Sequence, residues 1–486
     1  MTTADTHETA RLDRRAWAML LVLCGALFLD ALDVSMVGVA LPSIRTDLHM
    51  TTSSLQWVVS AYVLGYGGFL LLGGRAADLL GRRRMFVIAL GVFVVASALG
   101  GIAHDGSLLI ATRFVKGVSA AFTAPAGLSI ITTSFAEGAP RNKALTVYTA
   151  TGATGFSLGL VFGGLLTELG WRWVFFLPAP VALLALLGAV RFVPRDGLRA
   201  HAARRFDATG AVLLTGAMLA LVYTVVEAPT VGWATARTLG SFAGVVALLV
   251  AFVAREQRAA APLVRLGIFR SQTIVRANLG AMMLFGSWVG FQFIATLYMQ
   301  QLRGWSALQT GLAIFPAGAL VASLSPRVAQ LIGRVGTTRL IVAGLLSAAA
   351  AFALFIPIGL SSGYAPSVLP TMLLAGLGFA LAFAPLNIAG TSGVAPSEQG
   401  LAGGLLNTSF QLGGAIVLAI VTAVIDANTT GTTPQDTLNA FHPALVVSVL
   451  AALAGAAAVG LRRPARAVEP VVAELEVEAE PEVEAA

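Results

Sequence analysis

Residues 74–84 read Gly74-Arg-Ala-Ala-Asp78-Leu-Leu-Gly81-Arg82-Arg83-Arg84 and lie between two apolar runs, 53–73 and 85–103. Each flanking run approaches the roughly 20 mostly apolar residues that cross a bilayer as a helix. The segment between them carries four arginines, an aspartate and glycines that permit a tight turn. Short basic loops between spans sit on the cytoplasmic side. The stretch therefore predicts a membrane hairpin with its loop inside.

Working outward, fourteen such runs cover the chain. They lie near 16–41, 53–73, 85–103, 107–132, 143–166, 173–193, 208–227, 238–254, 273–299, 307–330, 338–359, 367–390, 400–425 and 442–461. Composition agrees. The 486 residues are 57% hydrophobic and 11% charged, against about 25% charged in a soluble domain. That excludes a disordered chain, a coiled coil and an ordinary soluble enzyme. The first run follows Arg14 and Arg15 as a signal peptide would. Asp30 and Asp33 interrupt it and no small-x-small site follows, so it reads as a retained first helix.

The basic residues set the orientation. Of 31 Lys and Arg, 25 lie in segments on the N-terminal side of the membrane and four on the other, while Arg113 and Lys116 fall inside a span. Such a bias predicts that both termini are cytoplasmic. Dispersal over alternate loops also argues against a nucleic-acid surface, which would gather its charge on one module. Arginine outnumbers lysine 29 to 2 and Ala, Gly and Val abound. This reads as GC-rich bacterial coding and predicts a plasma (inner) membrane location.

The hairpin has a counterpart. Leu55-Gln56 opens the helix that ends at Gly81-Arg82, and Leu308-Gln309 opens one that ends at Gly333-Arg334. The match pairs span 2 with span 10. It predicts an all-α membrane protein of two equivalent six-helix bundles, 16–193 and 273–461, with two inserted helices within 194–272. Residues 1–15 form an N-terminal tail. Residues 462–486, with seven glutamates from Glu469 to Glu484, are expected to be a disordered cytoplasmic tail. Parallel six-helix repeats around a midplane site are common among secondary transporters.

Four segments together resemble the major facilitator superfamily, in its fourteen-span branch of drug:proton antiporters, over about residues 15–461. The 74–84 loop is similar to the superfamily's loop signature at Gly74, Asp78, Gly81, Arg82 and Arg83, with Ala76 and Leu79 departing from it. The resemblance implies an inner-face latch built on Asp78. Span 1 ends Leu32-Asp33-Val-Ser-Met-Val-Gly-Val-Ala40-Leu41-Pro42-Ser-Ile44, which resembles the branch's own signature, with Ser35 for Thr and Gly38 for Asn. Span 4, Arg113-Phe-Val-Lys116-Gly117, resembles the Arg-x-x-x-Gly helix whose arginine is implicated in proton coupling, with Lys116 in place of glutamine. Span 5 spaces Gly155, Gly159, Gly163 and Gly164 as the antiporter signature does, with Leu160 where a proline is usual. Small residues at this spacing let helices approach closely.

Acids and bases inside a membrane are costly and usually functional. Measured from the outer span ends at 1.5 Å per residue, Asp33 lies roughly 12 Å deep, Asp30 roughly 16 Å, Arg113 roughly 9 Å and Lys116 roughly 14 Å. That order predicts Asp33 with Arg113 and Asp30 with Lys116, on the helix adjacency the resemblance implies. Such pairs either exchange a proton during transport or are permanent structural pairs. The resemblance also implies a substrate cavity lined by spans 1, 4, 9 and 12. Its polar and aromatic candidates are Asn278, Trp288, Gln292, Tyr298, Phe379, Phe383 and Asn387. Asn407 and Gln411 on span 13 either line that cavity or join helices.

The resulting expectation is a monomeric secondary transporter exporting a small amphipathic drug, antibiotic or metabolite against protons. Uptake of a polar nutrient by the same fold is the alternative. A sugar site would want many amides, whereas this interior is mostly Ala, Gly, Val and Phe, as pockets for apolar ligands are. A membrane enzyme would need converging acid, base or metal groups. The five histidines, His7, His49, His104, His201 and His442, are scattered, and Cys24 is the one cysteine. No metal, cofactor or ATP-binding loop is expected.

Overall fold

The computed structural model describes residues 13–135, 139–195, 207–259, 264, 266–394 and 399–461. The expected C-terminal tail, 462–486, and most of the N-terminal one lie outside the described residues.

The described chain is helical throughout. The helices are α1 (Arg14–Asp47), α2 (Thr52–Leu80), α3 (Arg82–Gly101), α4 (Gly106–Ser134), α5 (Ala139–Leu169), α6 (Trp173–Phe192), α7 (Ala208–Val231) and α8 (Ala236–Arg258). They continue with α9 (Gln272–Leu297), α10 (Ala307–Val335), α11 (Thr337–Phe355), α12 (Leu369–Thr391), α13 (Gln399–Asn428) and α14 (Pro434–Gly460). Thirteen are long and apolar enough to cross a membrane. The fourteenth, α5, is 31 residues long and carries a shorter apolar stretch, Thr154–Leu169. Polar residues stop and start these helices. Thr51, Asp105, Ser306 and Thr433 each accept a backbone N–H of the first turn of α2, α4, α10 and α14.

The two bundles have the same wiring, displaced by eight helices. In the first, α1 packs on α5 and α6, α2 on α4, and α3 on α4 and α6. In the second, α9 packs on α13 and α14, α10 on α12, and α11 on α12 and α14. The turns after α2 and α10 match too, but through Gly81 and Gly336, at φ 102° and 85°. A side chain is strained at such angles. Gly333 sits inside α10, so the sequence match slips by three residues at its end.

The bundles meet along two seams, α2 against α13 and α5 against α10. Helix α7 lies outside the first seam, touching α2 and α13, and α8 packs on α7. One continuous apolar core joins both bundles at the end away from the chain termini, from Leu32 to Ile44 of α1 across to Trp288 and Phe293 of α9. At the termini's end each bundle keeps its own core, around Leu20, Phe86 and Ile131 in one and Ala281, Leu386 and Val459 in the other. The closed end is thus the one where the bundles share a core, and the parted end the one where each keeps its own, with Leu71 of α2 still approaching Gly404 of α13 toward that end.

Candidate functional site

Glycines bring the helices of the site together. A β-carbon on Gly155, Gly159 or Gly163 would stand 2.7 Å from Phe28 O, Leu32 O or Met36 Cα, so α5 lies against the backbone of α1 at the level of Asp33. Gly164 instead faces α10, where a β-carbon would be 2.6 Å from Leu308 Cα. Leu160 between them is fully buried. The stripe thus serves one bundle and one seam, and Leu160 fills the seam where the branch places proline.

Asp33, Arg113 and Lys116 are buried together, with 0%, 2% and 0% of their surface exposed. Arg113 pairs with one carboxylate oxygen of Asp33 and Lys116 with the other. The guanidinium also donates from Nε to Val58 O at 3.0 Å and lies 4.5 Å over the Tyr62 ring. The ammonium sits 4.6 Å over Phe93 and 5.2 Å over Phe175. Aromatic faces attract cations, most strongly when water is absent. Asp33 therefore holds two cations in a buried site lined by aromatic rings.

The expected pairing of Lys116 with Asp30 is not what the structure shows. The reason is the lean of side chains toward the helix N-terminus. Helix α1 starts at the parted end, so Asp33 leans down toward Lys116 and Asp30 leans away. Helix α4 starts at the closed end, so Lys116 leans up toward Asp33. Depth counted on backbones missed this. Asp30 is buried, with Oδ2 unpartnered among the described residues.

In the loop after α2, Arg83 donates to Val190 O on α6 at 2.6 Å. Gly74 lies over Pro125 of α4. Arg82 is half-buried. The Asp78 side chain lies outside the described part.

The second bundle supplies an aromatic wall. Phe383 stacks on Phe379 at 5.2 Å and tilts against Phe410 at 5.3 Å, and Trp288 reaches Phe379 and Phe156 at 6.4 Å each. Phe383 is 41% exposed, while Trp288 is buried. Gln292 faces Gly38 of α1, where a β-carbon would be 3.0 Å from Nε2. The aromatic members of the expected cavity set on α9 and α12 are thus brought together, save one. Tyr298 is buried in the closed-end core with its hydroxyl on Gly359 O at 2.7 Å, and it does not join the wall. Asn278 accepts from Ser409 at 2.7 Å and so joins α9 to α13. Asn387 and Asn407 donate to their own helices, at Phe383 O and Gly403 O. Gln411 is buried on the α2–α13 seam against Gly67. Sequence reasoning missed Tyr62, Phe93 and Phe175 around the charges. Aromatic residues in apolar helices carry no mark that separates a cation's partner from packing.

The comparisons fit this geometry. A family model described as Major Facilitator Superfamily matches residues 23–418. The chain is 40% identical to the puromycin resistance protein pur8 of Streptomyces alboniger, over 88% of this chain and 86% of that one. It is 38% identical to the cephamycin export protein CmcT of Amycolatopsis lactamdurans, over 88% of each. Its fold matches the crystal structure of the POT family transporter PepTSo with a TM-score of 0.66 at 17% identity, over 90% of this chain and 97% of that one. Two bundles wired alike and matched from α1 into α13 make the chain a member of the major facilitator superfamily.

Proposed function

We propose that this chain exports small amphipathic compounds of the drug or antibiotic type, driven by protons, with both termini in the cytoplasm. One observation carries the reading. Asp33 lies fully buried and holds Arg113 and Lys116 on its two oxygens. Protonating Asp33 removes the counter-charge that Arg113 and Lys116 share here, a change costly enough to drive rearrangement. Losing the proton re-forms the pairs. Alternating access follows if each protonation state favours one end of the molecule being closed. The arrangement seen here, with Asp33 ion-paired and the termini's end parted, is then the inward-facing, deprotonated state. The arginine bias supports the orientation.

The aromatic wall on α9, α12 and α13 supports an apolar or amphipathic cargo, bound largely by stacking. Names of the relatives point the same way, and puromycin is the first compound to test. The path lies within one chain, so a monomer suffices. Everted membrane vesicles energised to an acidic lumen, so that protons leave as drug enters, should accumulate puromycin or ethidium and lose it on collapse of the gradient. Accumulation that is indifferent to the gradient would contradict the proposal, and accumulation only in right-side-out vesicles would favour uptake.

A further inference from the structure

Resting on the proton-coupled reading above, we infer that Asp30 is the port through which Asp33 releases its proton to the inner cavity, with Lys116 moving between the two carboxylates. Asp33 has no exposed surface, and its flanks are taken by Arg113, Lys116 and the rings those cations cover. A proton on Asp33 therefore needs an intermediate acceptor. Asp30 lies one helical turn nearer the parted end, 7% exposed. Its Oδ2 is buried and unpartnered among the described residues. A buried carboxyl oxygen without a donor is costly, so the site is built to be filled in another state. Lys116 can fill it, because an ammonium has three donors on a flexible stem and Asp33 uses one of them.

The groups facing Asp30 are Asp33 on its own helix, Lys116 on α4, Tyr62 and Tyr66 on α2 and Tyr148 on α5. Of the two bases in the cluster, Arg113 is tied by a second bond to Val58 O and Lys116 is not. Lys116 is the mobile one. The step balances without a further reactant. The O–H bond of protonated Asp33 breaks and an O–H bond forms on the Asp30 carboxylate. Lys116, paired with Asp30 while Asp33 carried the proton, returns to Asp33. Asp30 then gives its proton to water in the inner cavity. The structure shows the arrangement after transfer, with both cations on Asp33 and the Asp30 oxygen vacant.

The test uses the full chain in proteoliposomes with puromycin, measuring uphill transport under a proton gradient and exchange without one. Asp30→Asn is expected to exchange puromycin yet lose uphill transport by about 100-fold, the lower end of what a positioned proton-transfer group contributes. Asp30→Glu is expected to restore it with a displaced pH profile. Lys116→Gln is expected to exchange and to lose coupling in the same way. Uphill transport near the parent level in Asp30→Asn overturns the relay, as does loss of exchange and uphill transport alike in Asp30→Asn without rescue by Asp30→Glu. Asp33→Asn separates the two levels of the account. If it transports uphill, proton coupling at Asp33 itself is wrong; if it does not while Asp30→Asn does, only the relay is wrong.

Discussion

Glu168, in the last turn of α5, accepts a hydrogen bond from the Ser306 hydroxyl at the start of α10, and so ties one bundle to the other at the closed end. The same carboxylate oxygen accepts the Leu308 backbone N–H at 3.3 Å. An acid at a helix N-terminus satisfies a free N–H and meets the positive end of the helix dipole. Gln300, just beyond α9, adds a bond from Nε2 to Val39 O of α1 at 2.8 Å. These contacts must break for the closed end to open.

Glu168→Ala therefore loosens the closed end without touching the buried charges. Losing about 1 kcal/mol of dipole and capping interaction shifts the open–closed balance about fivefold. A cysteine at Thr310, fully buried beside this seam, should react about fivefold faster with an impermeant maleimide from outside. An unchanged rate would show that the apolar core alone holds this end shut.

Glycine replacements should divide by position. Gly159→Ala pushes a β-carbon to 2.7 Å from Leu32 O and separates α1 from α5. Overpacking of this kind destabilises by about 1–3 kcal/mol. Gly91→Ala, with nothing within 4 Å of the new carbon, should instead stabilise α3 by about 0.5–1 kcal/mol. Thermal unfolding in detergent checks both, with Tm moving in opposite directions.

Arg113 and Lys116 should substitute for each other in neutralising Asp33. Arg113→Gln and Lys116→Gln each leave one cation on the carboxylate, whereas the double variant leaves a buried charge alone. Stripping a buried charge of its partners costs about 3–5 kcal/mol. The double variant should be less stable than the sum of the singles by about 1–3 kcal/mol. Additive losses in a denaturation series would mean that the two pairs act independently.

Phe383→Ala should weaken cargo binding. The ring is the most exposed of the stacked group on α12 and α13, and an aromatic contact contributes about 0.5–1.5 kcal/mol beyond its area. Dye affinity measured by fluorescence should fall roughly tenfold, with Tm unchanged, once lost area is included. Equal affinity would move the cargo away from this wall.

The fold was legible because each span is long and apolar and the basic residues alternate between loops. The Leu55-Gln56 and Leu308-Gln309 pair pointed to the repeat that α2 and α10 embody. The buried charge cluster was legible in its residue types, since Asp33, Arg113 and Lys116 are expensive in a membrane wherever they point. Direction was not legible. Nothing in the sequence marks which way Tyr298 and Gln411 point, and one is core and the other seam. Backbone depth alone places Lys116 with Asp30, whereas the opposite leans of α1 and α4 put it on Asp33.

Central to the account is Asp33 as the proton carrier. Asp33→Asn in proteoliposomes, assayed with puromycin, measures this most directly. The neutral side chain mimics the protonated state, so the variant should bind and exchange substrate without a gradient while losing gradient-driven accumulation. Accumulation at the parent rate in Asp33→Asn would contradict the account.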